Sequence, residues 1–163
     1  MIAEAAMQSG LEATWYPIYD PEVRGGRTTC VTVIADGAVG SPVAGRYSVA
    51  LLFDQIGVDL HLEEVREDGL PLINSTLAEI PAHAPSRTTG IPASQMAEEM
   101  GEPRAANMVM LGALMAATGM LTLEQLGQAL ERFLARHPEA VAINLQALEA
   151  GYQKYEQLVT QGV

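Results

Sequence analysis

The apolar residues of this chain change their period near its midpoint. Up to about residue 74 they come in short runs separated by turn formers. Leu11-Glu-Ala-Thr-Trp-Tyr16 and Thr28–Ala35 read as strands. Asp36-Gly37 and Gly40-Ser-Pro42 are turn signals. Tyr47-Ser-Val-Ala-Leu-Leu-Phe53 is a nearly continuous apolar run, the pattern of a strand buried on both faces. Between Gln55 and Val65, Ile56, Leu60 and Val65 are interleaved with charge, which predicts a surface helix. Gly69-Leu-Pro-Leu-Ile-Asn74 returns to strand. Strands alternating with helices predict an α/β layer fold.

From Ile80 to Thr89 the Pro, His and Ser/Thr residues predict a loop or a short strand, and after Gly90 the period becomes helical. Pro92 suits the first position of a helix that carries Met96 and Met100 on one face, and Gly101 breaks it. Pro103 opens a second helix, running uncharged from Ala105 and ending near Thr118 before Gly119. Thr122-Leu-Glu-Gln125 reads as a capping box for a third, with Leu123, Leu126, Leu130, Phe133 and Leu134 at helical spacing. Pro138 opens the last, whose Val141, Leu145, Leu148, Tyr152, Tyr155 and Leu158 form an apolar stripe.

The uncharged helix changes the picture twice. The stretch Ala105–Leu123 has no charge and approaches the length of a membrane span. Gly119 and the capping box cut it to a helix of roughly 24 Å at about 1.5 Å per residue, too short for a bilayer core. Its Met108, Met110, Gly112, Ala113, Met115, Ala116 and Ala117 suit close approach of another backbone. The plainer reading is a core helix under the sheet. The sharper one adds a side that meets another subunit.

Composition narrows the function classes. The chain has 163 residues, 48% of them apolar, and a formal net charge of −11. That length and apolar content predict one globular domain over residues 1–163. A surface this acidic argues against nucleic-acid binding. The single Cys30 excludes a disulfide within the chain and a four-cysteine metal or iron–sulfur site, and mid-strand it reads as a buried apolar residue. His61, His83 and His137 lack metal-ligand spacing, so no metal is expected. The start Met1-Ile-Ala-Glu-Ala-Ala6 has an acid and no basic segment, which predicts a cytoplasmic protein without a leader.

Candidate chemistry is concentrated in few places. The sequence has no G-x-S-x-G, H-E-x-x-H, phosphate-binding lysine loop or G-x-G-x-x-G, and Lys154 is its only lysine. In the loop from Tyr19 to Arg27, Arg24 could offer a planar fork to a carboxylate or phosphate. Gly25 and Gly26 would let backbone approach a ligand. Asp20 and Glu22 could hold Arg24 or act with it. The alternative is a loop salt bridge beside a glycine turn. Asn74-Ser75-Thr76 follows a strand, at the carboxyl end where open α/β sheets bind ligands, or it serves as a cap or turn. Asn107, in an apolar helix, calls for a partner, either a loop hydrogen bond in the core or a ligand.

Two stretches together resemble the gamma subunit, or gamma domain, of 2-oxoacid:ferredoxin oxidoreductases. One is Tyr19-Asp-Pro-Glu-Val-Arg-Gly-Gly26, continuing through Thr29-Cys30, Ile34-Ala-Asp36 and Gly40-Ser-Pro42. The other is Gly90-Ile-Pro-Ala93 through Ala97-Glu-Glu-Met-Gly101 and Arg104-Ala-Ala-Asn-Met-Val-Met-Leu-Gly-Ala-Leu114. Asn74-Ser-Thr76 and Leu145-Gln-Ala-Leu-Glu-Ala-Gly151 fit as well. The P-E-x-R-G-G and A-N-M-V-M-L-G-A runs are the specific part, because neither follows from a helix or strand period.

The resemblance implies a Rossmann-like, open, mostly parallel sheet flanked by helices, with a helical C-terminal third. It implies a component of a heteromeric enzyme, inactive alone, that converts a 2-oxoacid to acyl-CoA and reduces ferredoxin. Thiamine diphosphate, magnesium and iron–sulfur clusters are then expected on partner subunits, with coenzyme A as co-substrate. Carried over, Pro21, Glu22, Arg24, Gly25 and Gly26, with Asn74, Ser75 and Asn107, lie at the active-site and coenzyme A interface. The chain departs from the family at Asp20, where glycine is usual, and at Ile18, often serine. Family members also begin with a strand and a glycine-rich loop before the helix that matches Ile2–Met7. The expectation is a start roughly 20 residues upstream, or a truncated, non-catalytic interaction module that binds the same partners. The related indolepyruvate oxidoreductase subunit would share the chemistry with a different substrate.

Overall fold

The computed structural model describes residues 1–19, 28–42 and 45–162. It falls into two units, Met1–Gly45 and Arg46–Val163. In the first, helix α1 (Ile2–Gln8) lies against two antiparallel strands, β1 (Glu12–Tyr19) and β2 (Thr28–Ala35). Their register runs from Glu12↔Ala35 to Tyr19↔Thr28. A connection of hairpin length cannot make the crossover that a parallel pair needs, so this pair is antiparallel. Pro17 is tolerated because both strands of a two-stranded ribbon are edges. The ribbon leaves Trp15, Tyr16 and Ile18 exposed. Cys30 is exposed too, against the buried position expected for it, because it lies on a ribbon whose faces stay largely open.

In the second unit, β3 (Tyr47–Leu52), β4 (Val65–Asn74) and β5 (Thr89–Ile91) form a parallel sheet in the order β3-β4-β5. Helix α2 (Gln55–His61) and a 3-10 turn (Leu62–Glu64) connect the first two strands. Asp54, in extended backbone, caps α2 by accepting a 2.7 Å hydrogen bond from the Gly57 N–H. The expected helix thus stops at His61, and Val65 already belongs to β4.

The charged Val65-Arg-Glu-Asp segment gives no strand signal, yet it is the first part of β4. The ladder with β3 is irregular between Tyr47↔Val65 and Val49↔Leu70. Gly69 sits in this irregularity, where a Cβ would meet Val65 Cγ1 at 2.6 Å and the Arg66 carbonyl at 2.9 Å. Beyond it, Leu70–Asn74 is fully buried as the central strand. Pro71, paired with Ala50 of β3, falls just before Leu72, where pairing with β5 begins. β3 is only partly buried rather than covered on both faces, as an edge strand is.

The helical third follows. Helix α3 (Ala93–Glu99) ends before Gly101, at φ +80°. A 3-10 turn (Pro103–Ala105) leads into α4 (Ala106–Thr118), which Gly119 stops at φ +61°. Helix α5 (Leu123–Phe133) opens with the expected capping box. Thr122 Oγ1 accepts from Gln125 N at 3.1 Å, and Gln125 Oε1 accepts from Thr122 N at 2.8 Å. A third 3-10 turn (Pro138–Ala140) precedes α6 (Val141–Thr160). No helix among the described residues is long and apolar enough to cross a membrane.

The closest packing is between α4 and α6. Val109 through Met115 are all buried, and α4 touches α3, α6 and β4. It is therefore a core helix, apolar all round because it has neighbours all round. A Cβ on Gly112 would fall inside the Leu148 carbonyl, and one on Gly151 inside the Val109 carbonyl. The two glycines let the helix backbones touch reciprocally, each pointing an α-hydrogen at the other helix's carbonyl oxygen. Since the clash would be with backbone, it cannot be relieved by a rotamer change. Gly112→Ala and Gly151→Ala should each destabilise the fold by about 3 kcal/mol or more. The double variant should lose less than the sum, since helices already parted by one methyl accommodate the second. Urea unfolding of the three variants measures both effects.

Candidate functional site

The carboxyl ends of parallel strands are where an open α/β sheet leaves backbone and side chains free for a ligand. Here those ends are Leu52–Asp54, Asn74–Thr76 and Ile91–Pro92. Asn74, the last residue of β4, is the buried polar side chain of the described core. Its Nδ2 donates to the Phe53 carbonyl at 3.1 Å and to Ser94 Oγ at 2.9 Å. Its Oδ1 accepts from the Ser94 N–H at 3.2 Å. One amide thus ties the end of β3, the end of β4 and the first turn of α3.

Helix α3 has no cap of its own, because Pro92 occupies the N-cap position and brings no side-chain acceptor. Its first N–H groups are satisfied from the strand end instead. Asn74 takes Ser94 N–H, and Thr76 Oγ1 takes Gln95 N–H at 3.2 Å. Of the two readings of Asn74-Ser75-Thr76, the cap describes what the side chains of Asn74 and Thr76 do. Ser75 differs. It is exposed, its N–H donates to the Ile91 carbonyl at 2.9 Å, and its side chain lies against Gly90. A Cβ on Gly90 would stand 3.1 Å from Ser75 Cβ and 3.2 Å from Ile80 Cδ1, so glycine is what keeps this corner open.

Of the remaining candidates, only Asn107 is among the described residues. Pro21, Glu22, Arg24, Gly25 and Gly26 lie outside the described residues, as does Asp20. What the structure gives is their frame: Tyr19 and Thr28 pair across β1 and β2, bringing the two ends of segment 20–27 together. Asn107 is exposed at the start of α4 and takes no part in the Asn74 cluster. The buried partner expected for it is not needed, since water satisfies an amide at the open end of a helix. Nearby, Arg104 Nε and Nη2 donate to the two Glu102 carboxylate oxygens at 2.8 and 3.2 Å. Hydrogen bonding to Arg104 holds the Glu102 carboxyl below its ordinary range, and the same bond raises the Arg104 guanidinium. Among the described residues no group of His, Cys, Asp or Glu is placed to hold a metal ion.

The sequence did not point to Ser94 or to the Phe53 carbonyl. Both reach Asn74 across 20 or more residues of chain, a distance that no local motif encodes.

Comparison with known proteins shows the family. The pyruvate ferredoxin/flavodoxin oxidoreductase family matches residues 1–154. The ketoisovalerate oxidoreductase subunit VorA of Methanothermobacter marburgensis is 38% identical over 152 residues, 92% of this chain and 32% of that one. The chain therefore spans about a third of the length of that relative. Among solved structures, the gamma subunit of a keto/oxoacid ferredoxin oxidoreductase from Geobacter sulfurreducens superposes with a TM-score of 0.78 at 30% identity. That match covers 96% of this chain and 88% of that subunit. The 2-oxoglutarate:ferredoxin oxidoreductase of Magnetococcus marinus shares the fold with a TM-score of 0.84 at 23% identity, over 96% of this chain and 28% of that one. The chain belongs to the pyruvate ferredoxin/flavodoxin oxidoreductase family.

Asn74→Ala would leave the Phe53 carbonyl and the Ser94 N–H without partners under a buried strand end. Its expected cost is about 2–3 kcal/mol in chemical denaturation. Thr76→Ala, which removes one exposed cap, should cost about 1 kcal/mol. Equal costs would contradict the hub role assigned to Asn74.

Proposed function

We propose that this chain is the gamma component of a multi-subunit 2-oxoacid:ferredoxin oxidoreductase. The assembly converts a 2-oxoacid and coenzyme A to acyl-CoA and carbon dioxide, and passes the electrons to ferredoxin. The family match over residues 1–154 carries this reading. The Geobacter gamma subunit, of which the chain covers 88%, supports the role of a separate subunit. The Magnetococcus enzyme, solved with 2-oxoglutarate, coenzyme A and succinyl-CoA, supports the reaction class.

In this reading the chain holds none of the redox groups. One cysteine cannot supply the ligands of a cluster, and the sequence has no G-x-G-x-x-G loop. Thiamine diphosphate, magnesium and the clusters sit on partner subunits in the cytoplasm. The gamma component shapes the site they form. Arg24, between Glu22 and the Gly25-Gly26 pair, presents its fork to an anionic part of coenzyme A, and Pro21 fixes the approach of that loop. Asn74 acts from behind, by fixing the strand end that presents Ser75. Asn107 offers an exposed amide on a separate element, at the start of α4.

In the assembled enzyme, Arg24→Ala should cut acyl-CoA formation by about tenfold at subsaturating coenzyme A, the scale of one lost charge-assisted hydrogen bond. At saturating coenzyme A most of the rate should return. Unchanged kinetics at low coenzyme A would remove Arg24 from the site.

A further inference from the structure

Helix α2 is apolar on two faces. Val58 and Leu62, which follows its last turn, face the core at 2% and 4% exposure, where they join Leu52, Ile73 and Ala78. Ile56 and Leu60 are one turn apart on the other side and stand 53% and 47% exposed. Two apolar faces on one short helix call for cover on both. Phe53, just before α2, and Leu77 and Ile80, in the loop after β4, are exposed beside it. That loop is tied to α2 by the Glu79 N–H, which donates to Gln55 Oε1 at 3.0 Å, and by Ala78, which packs in the Val58–Leu62 cluster. These five exposed side chains, on α2 and on the connections at the carboxyl end of the sheet, make up a collar whose far member, Ile80, lies against Gly90 of β5.

Charge and chain length decide what covers it. The collar is rimmed by Asp54, Asp59, Glu63, Glu64 and Glu79, and segments 53–65 and 75–83 contain no lysine or arginine. A second copy would set acid against acid, which costs free energy. A partner with an apolar centre and a lysine- or arginine-rich rim would satisfy both features. In the VorA and Magnetococcus chains the matched segment is joined to more than twice its length of further polypeptide, as their 32% and 28% coverage shows. The Geobacter subunit stands at about this chain's length. The same fold is thus used both joined to further polypeptide and as a separate subunit.

We infer that the collar of Phe53, Ile56, Leu60, Leu77 and Ile80 is the docking surface for another polypeptide of the oxidoreductase, one that brings an apolar patch ringed by basic residues. This rests on the reading that the chain works within such an assembly. The test uses the full-length chain, tagged and expressed in its source cells, with the assembly isolated without oxygen and its subunits identified by mass. Ile56→Lys/Leu60→Lys should lower the chain's share in the assembly by about tenfold or more. Leu77→Lys, in the loop and clear of any helix, should lower it in the same direction. Val159→Lys, on an exposed position of α6, should behave as wild type. Wild-type retention should fall between about 0.1 and 0.5 M salt as the rim is screened. Full retention of both collar variants would overturn the inference while leaving the assembly intact. A wild-type homodimer that the collar variants abolish would overturn it in favour of a second copy. If the wild-type chain holds no thiamine or iron–sulfur subunit, the assembly reading itself fails, and the inference with it.

Discussion

The second unit depends on one steric constraint: α4 and α6 touch backbone to backbone at Gly112 and Gly151. Each glycine faces the other helix's carbonyl, so the contact is reciprocal and fixes both the separation and the register of the pair. Everything buried on α4, from Val109 to Met115, is positioned by that contact. A helix with so little polarity could slide along its neighbours, since its apolar faces are nearly interchangeable. The two glycines remove that freedom, because only one register places a missing side chain opposite each carbonyl. The methionines and alanines between them then fill the irregular space that remains.

The polar counterpart of this contact is Asn74. At the carboxyl end of the sheet three elements end or begin within a few residues, and each leaves backbone groups to be satisfied. The Asn74 amide answers the Phe53 carbonyl and the Ser94 N–H together, and Thr76 takes the next N–H of α3. Those groups are satisfied internally, by side chains of the same edge. Ser75, the open corner at Gly90 and the apolar collar are left facing outward. Among the described residues this end of the sheet is thus an exposed surface held from behind by the Asn74 hydrogen bonds.

Where local chemistry determines structure, the sequence was readable. Thr28–Ala35 is a strand over its full expected length, the Thr122–Gln125 box is formed, and Gly101 and Gly119 end their helices at positive φ. The close approach of a second backbone to the uncharged helix was legible in its small residues, although α6 as the partner was not. What failed depended on tertiary surroundings. The first half of β4 is charged because the ladder is broken at Gly69 and its side chains reach solvent. Cys30 is exposed on a two-stranded ribbon whose strand β2 is mostly exposed or half-buried, and Asn107 falls at the start of α4. The cap on α3 comes from residues about twenty positions away, so no helix-start motif announces it. The loop that carries Pro21, Glu22, Arg24, Gly25 and Gly26 was picked out by composition and family likeness alone. Its described surroundings add the hairpin that brings its ends together.

Membership of the family makes the chain a candidate part of an enzyme, and omission followed by restoration tests that most directly. The oxidoreductase assembly is prepared without oxygen, with and without this chain, and 2-oxoacid- and coenzyme A-dependent ferredoxin reduction is followed with pyruvate, 2-oxoisovalerate and 2-oxoglutarate in turn. A rate on one of these acids that disappears without the chain and returns when purified chain is added back is the predicted result. An assembly that turns over equally fast without it would contradict the reading of this chain as a working gamma component.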